Sequence, residues 1–147
     1  MATASVDSTL RLTLREGSIY YFEARSLTSA QPHYFIVINS EPLKQCVLVL
    51  GIVTSKVAET KSRRHECPEC LVEIGPAELP GVLVKPSVVD CNTPMKLPLA
   101  EFNERFIRRD IRCFEKDVPQ SIRKALRRAL HASKIVSPEI KALVAAP

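Results

Sequence analysis

A chain of 147 residues with 46% hydrophobic and 25% charged side chains is sized for one globular domain that buries its core without metals or disulfides. Its longest apolar run, Val47 to Val53, is too short to cross a bilayer, and MATASVDSTLRL lacks the basic start and apolar core of a signal peptide, so a soluble, cytoplasmic protein with no membrane role is expected. The net charge of +5 is uneven: basic residues crowd Arg105 to Lys134, which excludes an acidic chain and suits a phosphate backbone, an acidic partner or a solvated helix face.

In chain order, residues 1–8 are small and polar and read as a frayed, disordered terminus. Leu10, Leu12 and Leu14 alternate with Arg11, Thr13 and Arg15, the period of a half-buried strand. Gly17 punctuates, and Ile19 to Ala24 forms a second strand of aromatic and β-branched residues. His33 to Asn39 and Cys46 to Val53, joined by the turn SEPLKQ, read as a central hairpin. Lys56 to Pro68 is polar without periodicity and predicts a mobile loop. Leu71 to Ile74, Val82 to Lys85 and Ser87 to Cys91 are short strand candidates between Gly and Pro breakers.

The tail changes to helical spacing. Leu99, Phe102, Phe106 and Ile107 suit one helix, and Ile122, Leu126, Ala129 and Leu130 give a second its apolar stripe. Ser137-Pro138-Glu139 supplies the N-cap, N1 proline and first-turn acid of a third. Short strands with no helix between them argue for a small barrel. The expected fold is therefore a single domain over 1–147, mainly β, with a barrel over 9–96 and two or three short helices over 97–147.

Three groups of residues bear on chemistry. HECPEC places His65, Cys67 and Cys70 together; these are good zinc ligands, but a closed site needs four and no second pair accompanies them. No metal is expected, and the odd number of cysteines, five, at irregular spacing fits reduced thiols. His33 opens an apolar strand directly after a proline, where it either packs or takes a proton near neutral pH. Thr54 and Ser55 end the central strand, where a rigid scaffold can present a hydroxyl to a reacting group. The chain lacks a Gly-rich phosphate loop, Gly-x-Ser-x-Gly and His-Glu-x-x-His, and no cofactor is expected.

The order of these pieces carries a resemblance: a Gly-x-Ile-Tyr strand at Gly17 to Tyr20, Pro32 with an apolar strand, a second apolar strand ending in Thr54-Ser55, a charged loop, and KPSVVDC from Lys85 to Cys91. Over about residues 17–136 it resembles the MazF/PemK (CcdB-like) toxins of bacterial toxin–antitoxin systems. The resemblance implies an SH3-like β-barrel, usually a homodimer, that cleaves single-stranded RNA without a metal and is restrained by a cognate acidic antitoxin. It implies Thr54, with Ser55 beside it, as the phosphate-binding hydroxyl. Where the family has Arg-Pro, this chain has Gln31-Pro32, and glutamine supplies neither cation nor proton transfer. His33 then takes the acid–base role, or a loop arginine (Arg25, Arg63 or Arg64) restores the charge, or the barrel binds without cutting. Strand alternation sets Gln31 and His33 on one face. Further RNA contacts fall to Arg123, Arg127 and Arg128 of the basic helix. The alternative function is a non-catalytic barrel that binds nucleic acid or an acidic protein through that helix.

Overall fold

A computed structural model of the chain describes residues 5–24 and 31–147. Helix α1 spans Ser8–Thr13 and is followed by strand β1, Ile19–Phe22. Then come β2 (His33–Val37), α2 (Pro42–Gln45), β3 (Val47–Thr54) and α3 (Val57–Arg63). A 3-10 turn at Pro68–Cys70 leads into β4 (Leu71–Ile74), followed by β5 (Ser87–Asp90) and β6 (Met95–Pro98). The chain ends in α4 (Leu99–Ile107), β7 (Arg112–Cys113), α5 (Gln120–Ala132) and α6 (Pro138–Leu143).

The expected hairpin is present as β2 and β3, antiparallel with Tyr34 opposite Val53 and Val37 opposite Leu50. Its connection is fastened by Asn39, which is fully buried. The Asn39 amide donates to Gln45 Oε1 and the Val47 carbonyl and accepts from the Val49 N–H, so its main polar capacity is used. Central strand β3 then does double duty on its far edge. Residues 47–50 pair with β6, and residues 53–54 pair with β5. Gly51 lies between these two pairings, where a Cβ would come within 2.8 Å of Val89, so the crossing leaves no room for a side chain.

All seven strands form one antiparallel sheet in the order β4-β5-β3-β2-β1-β7, with β6 also beside β3. Among the described residues β4 and β7 do not pair, so the sheet is open and the expected closed barrel does not form. Helices hold 35% of the described residues and strands 23%, which makes the fold mixed α/β instead of mainly β. Alternation along the strands sends side chains to two separate cores. Ile19, Ile36, Val49 and Val53 meet α5 through Ile122, Leu126 and Leu130 on one face. Tyr20, Phe22, Phe35 and Leu48 meet Leu10, Leu99 and Phe102 of α1 and α4 on the other.

Several sequence expectations are corrected. Residues 8–13 are helical instead of extended: the Asp7 carboxylate caps Thr9 and Leu10 N–H, Leu10 and Leu14 are buried one turn apart, and Leu12 is 78% exposed. Residues 5–7 are not frayed, because Asn103 bonds both the Ser5 carbonyl and the Asp7 N–H. The expected loop over 56–68 contains α3 and the 3-10 turn. The strand expected at Val82 to Lys85 is irregular, with Leu83 buried and Val84 90% exposed. Strands β6 and β7 lie where no strand was expected. The three C-terminal helices are present, and Ser137 caps α6 by accepting from Ile140 N–H. No helix among the described residues is long and apolar enough to cross a membrane.

Candidate functional site

The β2–β3 register determines where the hydroxyl of Thr54 ends up. Tyr34 faces Val53 and Phe22 faces His33, so the next antiparallel step brings His33 beside Thr54 at the open end of the hairpin. Strand β5 closes the other side of Thr54 through Val88. Beyond these strand ends lies a half-open cleft of about 820 Å³. Gln31, His33, Thr54, Ser55 and Arg63 all line it, so the structure gathers five of the ten catalytic and RNA-binding residues expected from sequence.

His33 is half-buried, and burial pushes its pKa below the ordinary histidine value. Its Nδ1 lies 3.0 Å from the Gln31 carbonyl, which can only accept, so in the neutral ring Nδ1 carries the hydrogen. Nε2 is thereby the basic nitrogen. The ring stacks on Phe35 with centroids 6.5 Å apart, which restricts its orientation. Thr54 Oγ1 accepts from the Lys56 N–H at 3.2 Å, so its own O–H remains available as a donor. The strand end thus presents a donor hydroxyl beside a neutral base.

Charge in the cleft comes from Lys56, Arg63 and Lys85, opposed by Glu59 and Asp90. Asp90 is buried and already engaged. Its Oδ2 accepts from Arg64 Nε at 2.8 Å, and its Oδ1 accepts from the backbone and side chain of Asn92. Arg63 is 3.9 Å from the same carboxylate with its side chain 61% exposed. One carboxylate therefore faces two guanidiniums; Arg64 neutralises it, and Arg63 keeps a cation directed at solvent. Lys56 and Lys85 were not singled out from sequence, although Lys56 directly follows the Thr54-Ser55 pair and Lys85 opens KPSVVDC.

The remaining candidates fall elsewhere. Arg25 lies outside the described residues. Arg123, Arg127 and Arg128 do not line the cleft. Arg127 is bonded to Glu16, and Arg123 packs over Gly17, whose missing Cβ would sit 2.7 Å from Arg123 Cδ. Only Arg128 of the three is exposed. At HECPEC, His65 is not part of the cluster that the cysteines form, and its Nδ1 lies 3.0 Å from the Ser62 carbonyl. Cys67 and Cys70 are joined as a disulfide, contrary to the expected thiols, whereas Cys46, Cys91 and Cys113 are free. Burial pushes the Cys91 thiol up to about 12 and leaves it unreactive. Glu69 completes a cluster with the pair, its ligand atom within 4.8 Å of both sulfurs.

The arrangement joins a neutral imidazole, a donor hydroxyl and a cation, the set required to move a proton next to a phosphate. No protein-family model and no curated protein sequence matches the chain.

Proposed function

We propose that the protein is a MazF/PemK-like endoribonuclease that cuts single-stranded RNA in this cleft without a metal. The single observation that carries the reading is that His33, with Nε2 as its basic nitrogen, lines one cleft with the Thr54 hydroxyl and Arg63. His33 takes the proton of a ribose 2′-hydroxyl, and the 2′-oxygen attacks the adjacent phosphorus. Thr54 and Arg63 hold the charge that grows on the non-bridging oxygens. The bond to the 5′-oxygen breaks, the leaving oxygen takes a proton from water or from His33, and a cyclic phosphate end remains. Arg63 fills the electrostatic role that Gln31 cannot.

The sheet is open, so the proposed relation to SH3-like barrels rests on the order of the sequence motifs and on the Thr54-Ser55 strand end. An acidic antitoxin fits the reading, since the cations of the cleft would serve an acidic segment as well as RNA. A homodimer and a cytoplasmic site of action belong to the same proposal. The test is to incubate the protein with single-stranded RNA in excess chelator and analyse the new ends. Cyclic phosphate and 5′-hydroxyl ends support it; intact RNA of every sequence refutes it.

A second reading, a binding module without catalysis, is favoured by Gln31 at the arginine position. Its expected surface is weakened, however, because Arg123 and Arg127 are spent inside the fold.

A further inference from the structure

The Cys67–Cys70 pair has no part in the cleft, yet its surroundings are asymmetric in a way that suits redox chemistry. Cys70 is fully buried at the start of β4, on a turn that packs against α5, whereas Cys67 is half-exposed. The turn keeps its shape through its backbone: Cys67 N–H donates to the Arg64 carbonyl, Cys70 N–H to Cys67, and Leu71 N–H to Pro68. The Cys70 carbonyl accepts from Cys91 N–H at 2.9 Å. The Cα atoms are 5.8 Å apart, within the span a disulfide bridges. A cross-link over so short a loop removes little entropy from the unfolded chain. These hydrogen bonds are made by the backbone and do not depend on the bond between the sulfurs.

We propose that Cys67 and Cys70 form a reversible dithiol–disulfide site that exchanges with small-molecule thiols and disulfides, Cys67 meeting the external partner and Cys70 resolving it. In the oxidising direction the Cys67 thiolate attacks one sulfur of glutathione disulfide, whose S–S bond breaks to release one glutathione thiolate. The Cys70 thiolate then attacks the Cys67 sulfur, closing the Cys67–Cys70 bond and releasing the second. Two cysteines lose two electrons, one disulfide gains them, and the two thiol protons pass through solvent to the released glutathiones. A carboxylate oxygen of Glu69 lies 3.5 Å from the Cys67 sulfur. Cys67, Glu69 and Cys70 also offer three metal-ligand atoms, which makes zinc the competing chemistry for the reduced pair.

The test uses the full chain, reduced and then held in defined mixtures of reduced and oxidised glutathione, quenched with an alkylating agent and mapped by mass spectrometry. The proposal expects the fragment carrying Cys67 and Cys70 to be dithiol or internal disulfide, with the mixed disulfide minor. Cys70→Ser should trap one stable glutathione on Cys67, whereas Cys67→Ser should leave the buried Cys70 unmodified over the same time. A stable glutathione adduct on the wild-type pair, or Cys70 reacting before Cys67, overturns it, and the wild-type measurement decides even if a variant fails to fold. One zinc per reduced chain that blocks exchange overturns it in favour of a metal site.

Discussion

Arg127 of α5 grips Glu16 across 111 residues of sequence, with Nε to Oε2 at 2.9 Å and Nη2 to Oε1 at 2.7 Å. Both side chains are mostly buried, 20% and 14% exposed, and the Glu16 contact raises the arginine pKa further. A bidentate, charge-assisted pair of this kind ties α5 to the turn before β1.

Replacing Arg127 with Gln should therefore destabilise the fold by about 2 kcal/mol, since it leaves Glu16 half-buried without its cation. The midpoint of urea unfolding reads this directly. Arg128→Gln, on the exposed side of the same helix, should change stability by less than about 0.5 kcal/mol. Equal effects from the two changes would show that the Glu16 pair contributes nothing.

The leucines of α1 give a second contrast. Leu10→Ala removes a side chain with no exposure from the core beneath α1 and α4 and should cost about 3 kcal/mol. Leu12→Ala, at 78% exposure, should cost almost nothing. A half-buried strand would instead bury all three leucines, so the same pair of unfolding curves distinguishes helix from strand.

These two contrasts mark where local pattern was and was not enough. The β2–β3 hairpin, β5 and the three C-terminal helices were legible because Val and Ile runs and a 3.6-residue stripe are local signals. Leu10 to Leu14 misled because three alternating leucines fit a strand as well as an i, i+4 pair; the deciding signal was Asp7 as N-cap. That the sheet stays open was not legible at all, because it rests on whether β4 and β7 pair, a long-range relation that no short window contains. Within the site, Thr54 and His33 were readable from strand ends, but the allocation of Arg64 to Asp90 and Arg63 to solvent needed the fold. The basic helix misled for the reverse reason, since charge in sequence does not tell a surface arginine from one bonded to Glu16.

If the cleft binds RNA, its cations set the salt dependence. Changing Lys56, Arg63 and Lys85 together to Gln should weaken binding for all single-stranded sequences and flatten the slope of log affinity against log salt by about two units. Lys124→Gln with Arg128→Gln, on the exposed face of α5, should leave the slope unchanged. The reverse outcome would move the RNA to the helix.

The pH profile follows from the burial of His33. Burial lowers its pKa from the ordinary histidine value of about 6.5, so the ring is neutral at pH 7 and competent as a base. Cleavage should rise with pH through a value below 6.5 and then level off, and His33→Gln should remove that limb. The same shift makes folding stability contributed by the neutral ring present above the unfolded-state value and lost as pH falls through the folded one. A rate that falls with rising pH in this range would mean the protonated ring is the working form.

The most direct test of the central claim is the single-turnover rate of RNA cleavage at saturating protein for wild type, His33→Ala and Thr54→Ala, with RNA affinity measured alongside. The account predicts that each change lowers the rate by about two orders of magnitude or more while His33→Ala leaves affinity within a few-fold of wild type. Wild-type rates in both variants would contradict it, because neither the imidazole nor the hydroxyl at the end of the hairpin would then take part in the chemistry.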